Sequence, residues 1–346
     1  MKYSAAVENI WRPTPSSVEG SLPPEAVVRE IVRCATLAPS SHNTQCWKFL
    51  VGQSTITILP DLERRCPVVD PDDHHLYVSL GCAVENAVIA ALAHGLEANV
   101  DSTFPANGIQ MKLKPCPPEV TPYFEAIPHR QVTRTEYNGE PLLQMELDQL
   151  LRAAVGDGSN GVQVVFLTEP QDLEMVGNFI VGANAAQVEN KDFRQELESW
   201  IRFGENECVD AGDGLSSPTT GNPFVPRFIG KHIFRATLRA GPENEKILRQ
   251  INSSAGFAVF VSEKDDAAHW VEAGRAYQRF ALEATNMGVR NAMLNQPVEE
   301  KEIRPEFAKA LKIEGRPDLV VRFGKGGPEL PHSLRRPVES VLEYKN

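Results

Sequence analysis

Apolar residues recur along this chain at helical and at alternating spacing, and the switches between the two predict its elements. From residue 23 to 37, Val27, Val28, Ile31, Val32 and Ala35 fall at helical spacing behind Pro23 and Pro24, which suit a first turn. "WKFLV" and "TITILP" are short β-rich runs joined by Gly52-Gln53-Ser54, the pattern of a hairpin. Residues 74–94, "HHLYVSLGCAVENAVIAALAH", predict a buried helix rich in small residues, with Gly95 where a helix stops. A second series starts near residue 143. "ELDQLLRAA" reads as helix, "VQVVFL" as strand, 171–189 as helix, "GFAVFVS" as strand, 265–287 as helix and "DLVVRFG" as a late strand. Strands alternating with helices, with hairpins as well as crossovers, predict an α+β or mixed α/β sheet sandwich.

Two of these helices match each other. Setting "GCAVENAVIAALAHGL" from Gly81 on "GRAYQRFALEATNMGV" from Gly274 aligns Ala83 with Ala276, Ala91 with Ala284 and Gly95 with Gly288, without a gap. Each follows a β-rich run, and each series opens on a similar helix, "EIVRCA" and "QLLRAA". This pattern reads as an internal duplication of one unit, with the Gly- and Ala-rich helices packed back to back as a central pair. The copies differ where chemistry is expected. Copy one has "PSSHNTQ" after its opening helix, where copy two has the ordinary turn "VGDGSNG" at 155–161. Copy two has "HRQVTRTEYNGEPL" before its opening helix, where copy one has Arg12 and no second arginine nearby.

The chain has 346 residues, room for two domains or for one large core of duplicated units. A net charge of −11 argues against nucleic acid or an anionic membrane as the main partner. The six cysteines show no CxxC pair, so reduced thiols in a cytoplasmic compartment are expected. No apolar run is expected to approach a membrane span, and the first residues lack a signal-peptide core.

Candidate chemistry lies in three polar stretches. "APSSHNTQCW" (38–47) places Ser40, Ser41, His42, Asn43, Thr44 and Gln45 in a row without a glycine, either as a surface loop or as a loop shaped around a flat polar ligand. Arg130 and Arg134 form either a solvated basic turn or a bidentate grip on phosphate. "HSLRRPVESV" adds Arg335 and Arg336 near the C-terminus. His74-His75, near Asp70, Asp72 and Asp73, is read as an acid-rich helix start and not as a metal site, because adjacent histidines face different ways. No Ser-His-Asp set is recognisable.

"LAPSSHNTQCWKF" resembles the nitroreductase-family loop APSxxNxQPWxF, and "HRQVTRTEY" and "RRPVESV" resemble that family's two arginine segments. With "FRQELESWIR" and a Gly/Pro-rich stretch between the units, the set resembles the Acg-like branch, tandem nitroreductase units in one chain, from about residue 24 to 343. The resemblance implies an α+β nitroreductase-like fold duplicated as a pseudo-dimer. Mixed β-sheets would pack on a central helix pair, with units at 1–125 and 126–346 and a lid segment at 190–250. It implies one FMN per chain and NAD(P)H as electron donor. Arg130 would bind the FMN phosphate, helped by Arg336 and Arg335, and Arg134 would lie toward the ribityl chain or pyrimidine edge. Pro39, Ser40, Ser41, Asn43 and Gln45 would come from copy one, and the backbone facing flavin N5 would fall at Asn295 and Gln296.

The chain departs from the family pattern at Cys46, which replaces a proline, and at Val132, where a phosphate-binding Ser is common and Thr133 is the candidate substitute. The third departure is the long segment 190–250, whose middle, 210–230, reads as too rich in Gly and Pro for regular structure. Trp200, Arg202, Phe224 and Phe228 would either cover the ring or anchor the segment. The expected activity is hydride transfer from NAD(P)H through FMN to a small nitroaromatic or quinone-like acceptor, with no catalytic side chain required. The alternative is an FMN-sequestering protein whose lid occludes the flavin. Either way, the expected form is a monomeric pseudo-dimer or a homodimer of it.

Overall fold

The computed structural model describes residues 1–13, 24–103, 105–156, 158 and 161–345. Two helices come first, α1 (Tyr3–Ile10) and α2 (Pro24–Thr36), followed by the hairpin strands β1 (Trp47–Val51) and β2 (Thr55–Pro60). The long α3 (His74–Ala93) leads into β3 (Leu96–Asp101) and β4 (Ile109–Pro115). Next are α4 (Pro122–Ala126), α5 (Gln144–Val155), β5 (Val162–Leu167) and α6 (Pro170–Glu189). Residues 191–252 carry α7 (Lys191–Trp200), β6 (Ile201–Arg202), α8 (Glu205–Ala211), β7 (Leu215–Ser216), α9 (Arg227–Thr237) and α10 (Ala240–Asn252). The remainder is β8 (Gly256–Ser262), α11 (Ala267–Asn286), β9 (Val289–Met293), α12 (Gln296–Glu299), α13 (Arg304–Leu311), β10 (Arg316–Lys325) and β11 (Leu342–Tyr344).

Two sheets organise these elements, one in the order β11-β1-β2-β4-β3 and the other β5-β8-β10-β9. All their pairs are antiparallel except β1 with β11, which brings the C-terminal strand onto the first sheet. In both sheets the strands of a series lie in the order first, second, fourth, third, and a twenty-residue helix, α3 or α11, links the second strand to the third. β8 is buried at every position, as expected of a strand covered on both faces. β1 alternates instead, turning Trp47, Phe49 and Val51 into the core.

The helices α3 and α11 cross in close contact. A Cβ on Gly81 would sit 2.0 Å from the Val271 carbonyl oxygen, and one on Gly274 would sit 2.0 Å from that of Val78. Only glycine permits backbones this close. Each helix ends at a left-handed glycine, Gly95 (φ 75°) and Gly288 (φ 68°), which turns the chain into β3 or β9. By length and composition α3 could cross a membrane (mean hydropathy 1.7), contrary to the expectation that no run approaches a span. Of its most apolar window 83% is buried inside the protein, as a core helix would be.

Other expectations need correction. β3 and β4 carry Glu97, Asn99, Lys112 and Lys114 on an outer face, so their pattern was too polar to read as strand. The segment 210–230 is not irregular throughout, because β7 pairs with β6 and α9 starts at Arg227. Pro23 and residues 157, 159 and 160 of the 155–161 turn lie outside the described residues.

Candidate functional site

The chain leaves α2 into the 37–45 loop, where three non-glycine residues adopt left-handed backbone: His42 (φ 49°), Asn43 (φ 53°) and Gln45 (φ 52°). Such residues cost about 1–3 kcal/mol each unless their surroundings hold them. Here three segments do so. Asn43 Nδ2 donates to the Gly214 and Leu334 carbonyls at 3.0 and 3.2 Å, and its Oδ1 accepts from Arg335 Nη1 at 3.0 Å. Gln45 Nε2 donates to Gly212 O at 2.8 Å, and its Oε1 accepts from Arg336 N at 2.8 Å. The polar run thus knots together the end of α2, the 212–214 turn and the C-terminal segment.

Beside this knot lies a cleft with two ends, joined along Pro39, Ser40, Val132, Arg134 and Leu215. The narrow end gathers Arg130, Arg134, Arg335 and His332, and no carboxylate lines it among the described residues. Arg335 is spent on architecture, donating to the carbonyls of Thr36, Leu37 and Ala38 at 2.7–3.1 Å and so capping the end of α2. Burial, with the Arg130 charge beside it, lowers its pKa to about 9. Arg130 is only 2% exposed and donates from Nη2 to Leu37 O at 3.2 Å. Its Nε and Nη1 have no hydrogen-bond partner among the described residues. Burial lowers its pKa, partly offset by the neighbouring Tyr277 hydroxyl. Arg134 is accessible from the cleft and lines both ends.

The wide end encloses about 280 Å³. Its walls are Val78, Cys82, Val132, Leu215, Met293, Leu319 and Phe193, and its polar groups include His42, His75, Gln187, Asn295, Gln296 and Glu299. Asn295 Oδ1 accepts from Val320 N at 2.9 Å, and its Nδ2 donates to His75 Nε2 at 3.2 Å. Gln296 Oε1 is buried without a partner among the described residues. Burial lowers His42 to about 4 and His75 to about 3, so both are neutral at pH 7. Burial raises Glu299 to about 7, and Gln187 Nε2 donates to its Oε2 at 2.8 Å.

Of the residues expected at the site, Pro39, Ser40, Ser41, Asn43, Arg130, Arg134, Asn295, Gln296 and Arg335 line the cleft. Gln45 is buried and its amide is consumed by the knot. Thr133 does not line the cleft, because its Oγ1 donates to Gln131 Oε1 at 3.4 Å. Arg336 points away, 3.7 Å from Asp61, into a separate hollow of about 530 Å³ lined also by Arg12, Arg29 and Arg33. None of Trp200, Arg202, Phe224 and Phe228 lines the cleft. Trp200 lies under Arg64 and Arg202, Arg202 pairs with Asp213 at 2.7 Å, Phe224 packs edge-on to Tyr3, and Phe228 is 75% exposed. The 190–250 segment reaches the cleft through Phe193, Gly214, Leu215 and Thr219 instead.

His74 and His75 do not diverge as expected. Their rings lie 4.4 Å apart, and their donor atoms come within 4.8 Å of one another and of Asp70. These atoms are engaged: Asp70 accepts from the His75 and Leu76 amides at 2.9 Å, and His74 Nε2 pairs with Asp318 at 2.9 Å. The first turn of α3 holds no acidic side chain, so Asp70 serves it from outside. Ser262 also bonds Asp318, which puts the carboxylate between serine and imidazole and leaves the serine unactivated.

No family model matches the chain. It is 26% identical over 346 residues to the "Putative NAD(P)H nitroreductase Rv3131" of Mycobacterium tuberculosis, covering 95% of each chain. It is 20% identical over 339 residues to the "Putative NAD(P)H nitroreductase acg" of the same organism, covering 92% of this chain and 96% of that one. Among solved structures, a nitroreductase with bound FMN from Bacteroides fragilis aligns at a TM-score of 0.40 and 16% identity, over 63% of this chain and 96% of that chain. Over nearly its full length, then, the chain is similar to these mycobacterial proteins named as putative NAD(P)H nitroreductases, and it resembles the Acg-like branch of the nitroreductase family.

Proposed function

We propose that the chain binds FMN in this cleft and acts as an NAD(P)H-dependent oxidoreductase on a small nitroaromatic or quinone-like acceptor. The observation that carries this reading is the pairing of two unmet needs along one cleft. At the narrow end, buried Arg130 presents two nitrogens without acceptors among the described residues, next to Arg335 and Arg134. At the wide end, Gln296 presents an amide oxygen without a donor among the described residues, in a slot with apolar walls. A long ligand with an anionic phosphate at one end and a flat ring bearing hydrogen-bond donors at the other answers both. The names of the full-length relatives point the same way.

In this reading Arg130 grips the phosphate and Arg335 adds charge while holding the 37–45 loop in place. Arg134 lies along the ligand's length, Ser40 and Ser41 border it, and Asn295 and Gln296 meet the ring edge. Bound FMN supplies the redox chemistry, taking a hydride from NAD(P)H and delivering it to the acceptor. The protein's part is to orient the ring, keep water from its buried edge and offer it a positive field. The duplicated organisation, with units at 1–125 and 126–346, belongs to the same proposal and is supported by the shared strand order of the two sheets. A reducing, cytoplasmic setting is supported by six free thiols.

One observation favours the second reading, flavin sequestration behind a lid. The 212–219 stretch is bonded to the loop through Asn43 and Gln45, and Leu215 stands over the join between the two ends. The deciding experiment is the visible spectrum of FMN-soaked, desalted protein, recorded anaerobically before and after NADPH or NADH. A retained flavin band that bleaches supports the oxidoreductase, and a retained band that does not bleach supports sequestration. A protein that keeps no flavin overturns both.

A further inference from the structure

We propose that Glu299 is the proton donor to the acceptor, a quinone whose oxygen sits in the wide end of the cleft; this deepens the flavin reading and rests on it. The geometry carries the assignment. Glu299 ends α12, one turn after Gln296, and the i,i+3 spacing puts both residues on the cleft side of that helix. The residue set against the flavin edge and the carboxyl therefore share one rigid element. Glu299 Oε2 accepts from Gln187 Nε2, and the carboxyl makes no other hydrogen bond among the described residues, so it has capacity left for an acceptor.

Elimination narrows the donor to the same group. His42 and His75 are neutral at pH 7 and hold no acidic proton, burial pushes the Cys82 thiol far up, and a guanidinium such as Arg134 does not surrender its proton. The charged and titratable groups around Glu299 are Asp70, Asp72, His74 and His75 from the start of α3, Glu300 and Lys301 beyond α12, and Arg304 of α13, with His42 and Arg134 across the cleft. Burial dominates, and Asp70 and Glu300 add to it, so the carboxyl retains its proton up to about pH 7.

Two-electron reduction of a quinone consumes one hydride and one proton. The hydride comes from the reduced flavin, itself reduced by the nicotinamide. The proton comes from Glu299: its O–H bond breaks, a new O–H bond forms on the quinone oxygen, and the electron pair stays on a carboxylate already held by Gln187. Water in the open cleft then returns the proton.

The test uses Glu299→Gln in the full chain with FMN bound, followed by stopped-flow through each half of the cycle. Flavin reduction by NADPH needs no proton from Glu299 and should match the wild type. Reoxidation by a water-soluble benzoquinone should slow by about 10²-fold, the usual contribution of a positioned acid. In the wild type that step should slow as pH rises through about 7, in parallel with loss of the protonated-carboxyl infrared band that E299Q removes from the flavin-free protein. Glu299→Asp should restore part of the rate. An E299Q enzyme that reoxidises at the wild-type rate, or a wild-type quinone step indifferent to pH across about 7, overturns the proposal while leaving flavin binding intact. A wild type that binds no flavin overturns the flavin reading first, and this proposal with it.

Discussion

At the scale of single residues, Arg130 is an energetic oddity. A guanidinium that is 2% exposed, with one hydrogen bond and two nitrogens unpartnered among the described residues, has lost its hydration without full replacement. The empty protein should therefore be strained there, and a phosphate should relieve it. Arg130→Met keeps much of the volume and removes the charge. It should weaken FMN binding by about 10- to 100-fold, the value of a charge-assisted hydrogen bond, and leave the weaker binding of riboflavin, which lacks the phosphate, unchanged. Without ligand, R130M should melt at or above the wild-type temperature, since an unpaired buried charge has been removed. Fluorescence titration with both flavins and a thermal melt check this; equal losses for the two flavins would place Arg130 elsewhere. Arg130, Ser40 and Asn295 were legible because a motif spaces them. Gln45 and Arg336 carried the same signal, yet they bond each other and face away from the cleft, which spacing cannot reveal. Gln187, His75 and Glu299 were not legible as site residues. They meet only because α6, α3 and α12, far apart in the chain, border one cavity.

At the scale of elements, the matched glycines of α3 and α11 do what their alignment implied. Each removes a Cβ that would overlap the partner's backbone, at Val271 for Gly81 and at Val78 for Gly274. Backbone cannot rotate aside as a side chain can, so one added methyl must separate two helices that support both sheets. Gly274→Ala should destabilise by about 1–3 kcal/mol or more, as overpacking does. Gly81→Ala in the same chain should then cost less than it does alone, because the crossing is already open. Urea titration of the two single variants and the double variant measures this, and simple additivity would show that the helices do not move as one contact. The helices α2, α3, α5, α6 and α11 and the strands β1, β2, β5, β8 and β10 were legible from their apolar patterns because burial dictates them, whereas short helices such as α8, α12 and α13 were not read. β3 and β4 were not, since their outer face carries charge. Nor were α9 and the β6–β7 pair, where Pro and Gly mark turns between short elements and do not mark a structureless loop.

At the scale of the whole molecule, buried titratable groups set how stability responds to pH. His42, His75 and His332 are lowered to about 4, 3 and 4, chiefly by burial. Unfolded, they take protons near about pH 6.5. Between those limits the unfolded chain binds more protons, so these histidines make stability rise with pH. Asp70 and Glu299 are raised to about 6 and about 7, again chiefly by burial, and unfolded they titrate near about 4. The native protein then binds more protons, and their contribution falls as pH rises. His74 and Asp318 join them: burial lowers His74 well below its usual value and raises Asp318 to about 7 despite its bonds to Ser262 and Arg316. Below about pH 6.5 the four histidines outweigh the three carboxyls. Above it the histidines have largely finished changing, and Glu299 and Asp318 still give up their protons. Stability should therefore peak near about pH 6.5, fall toward pH 5 and decline more gently toward pH 8. Glu299→Gln cannot ionise and should make the alkaline decline shallower while keeping the acid one, Asp318 supplying what remains. Urea midpoints for both proteins from pH 5 to pH 8 decide it: an alkaline decline as steep in E299Q as in the wild type would mean that Glu299 is ionised in the fold and holds no proton to give.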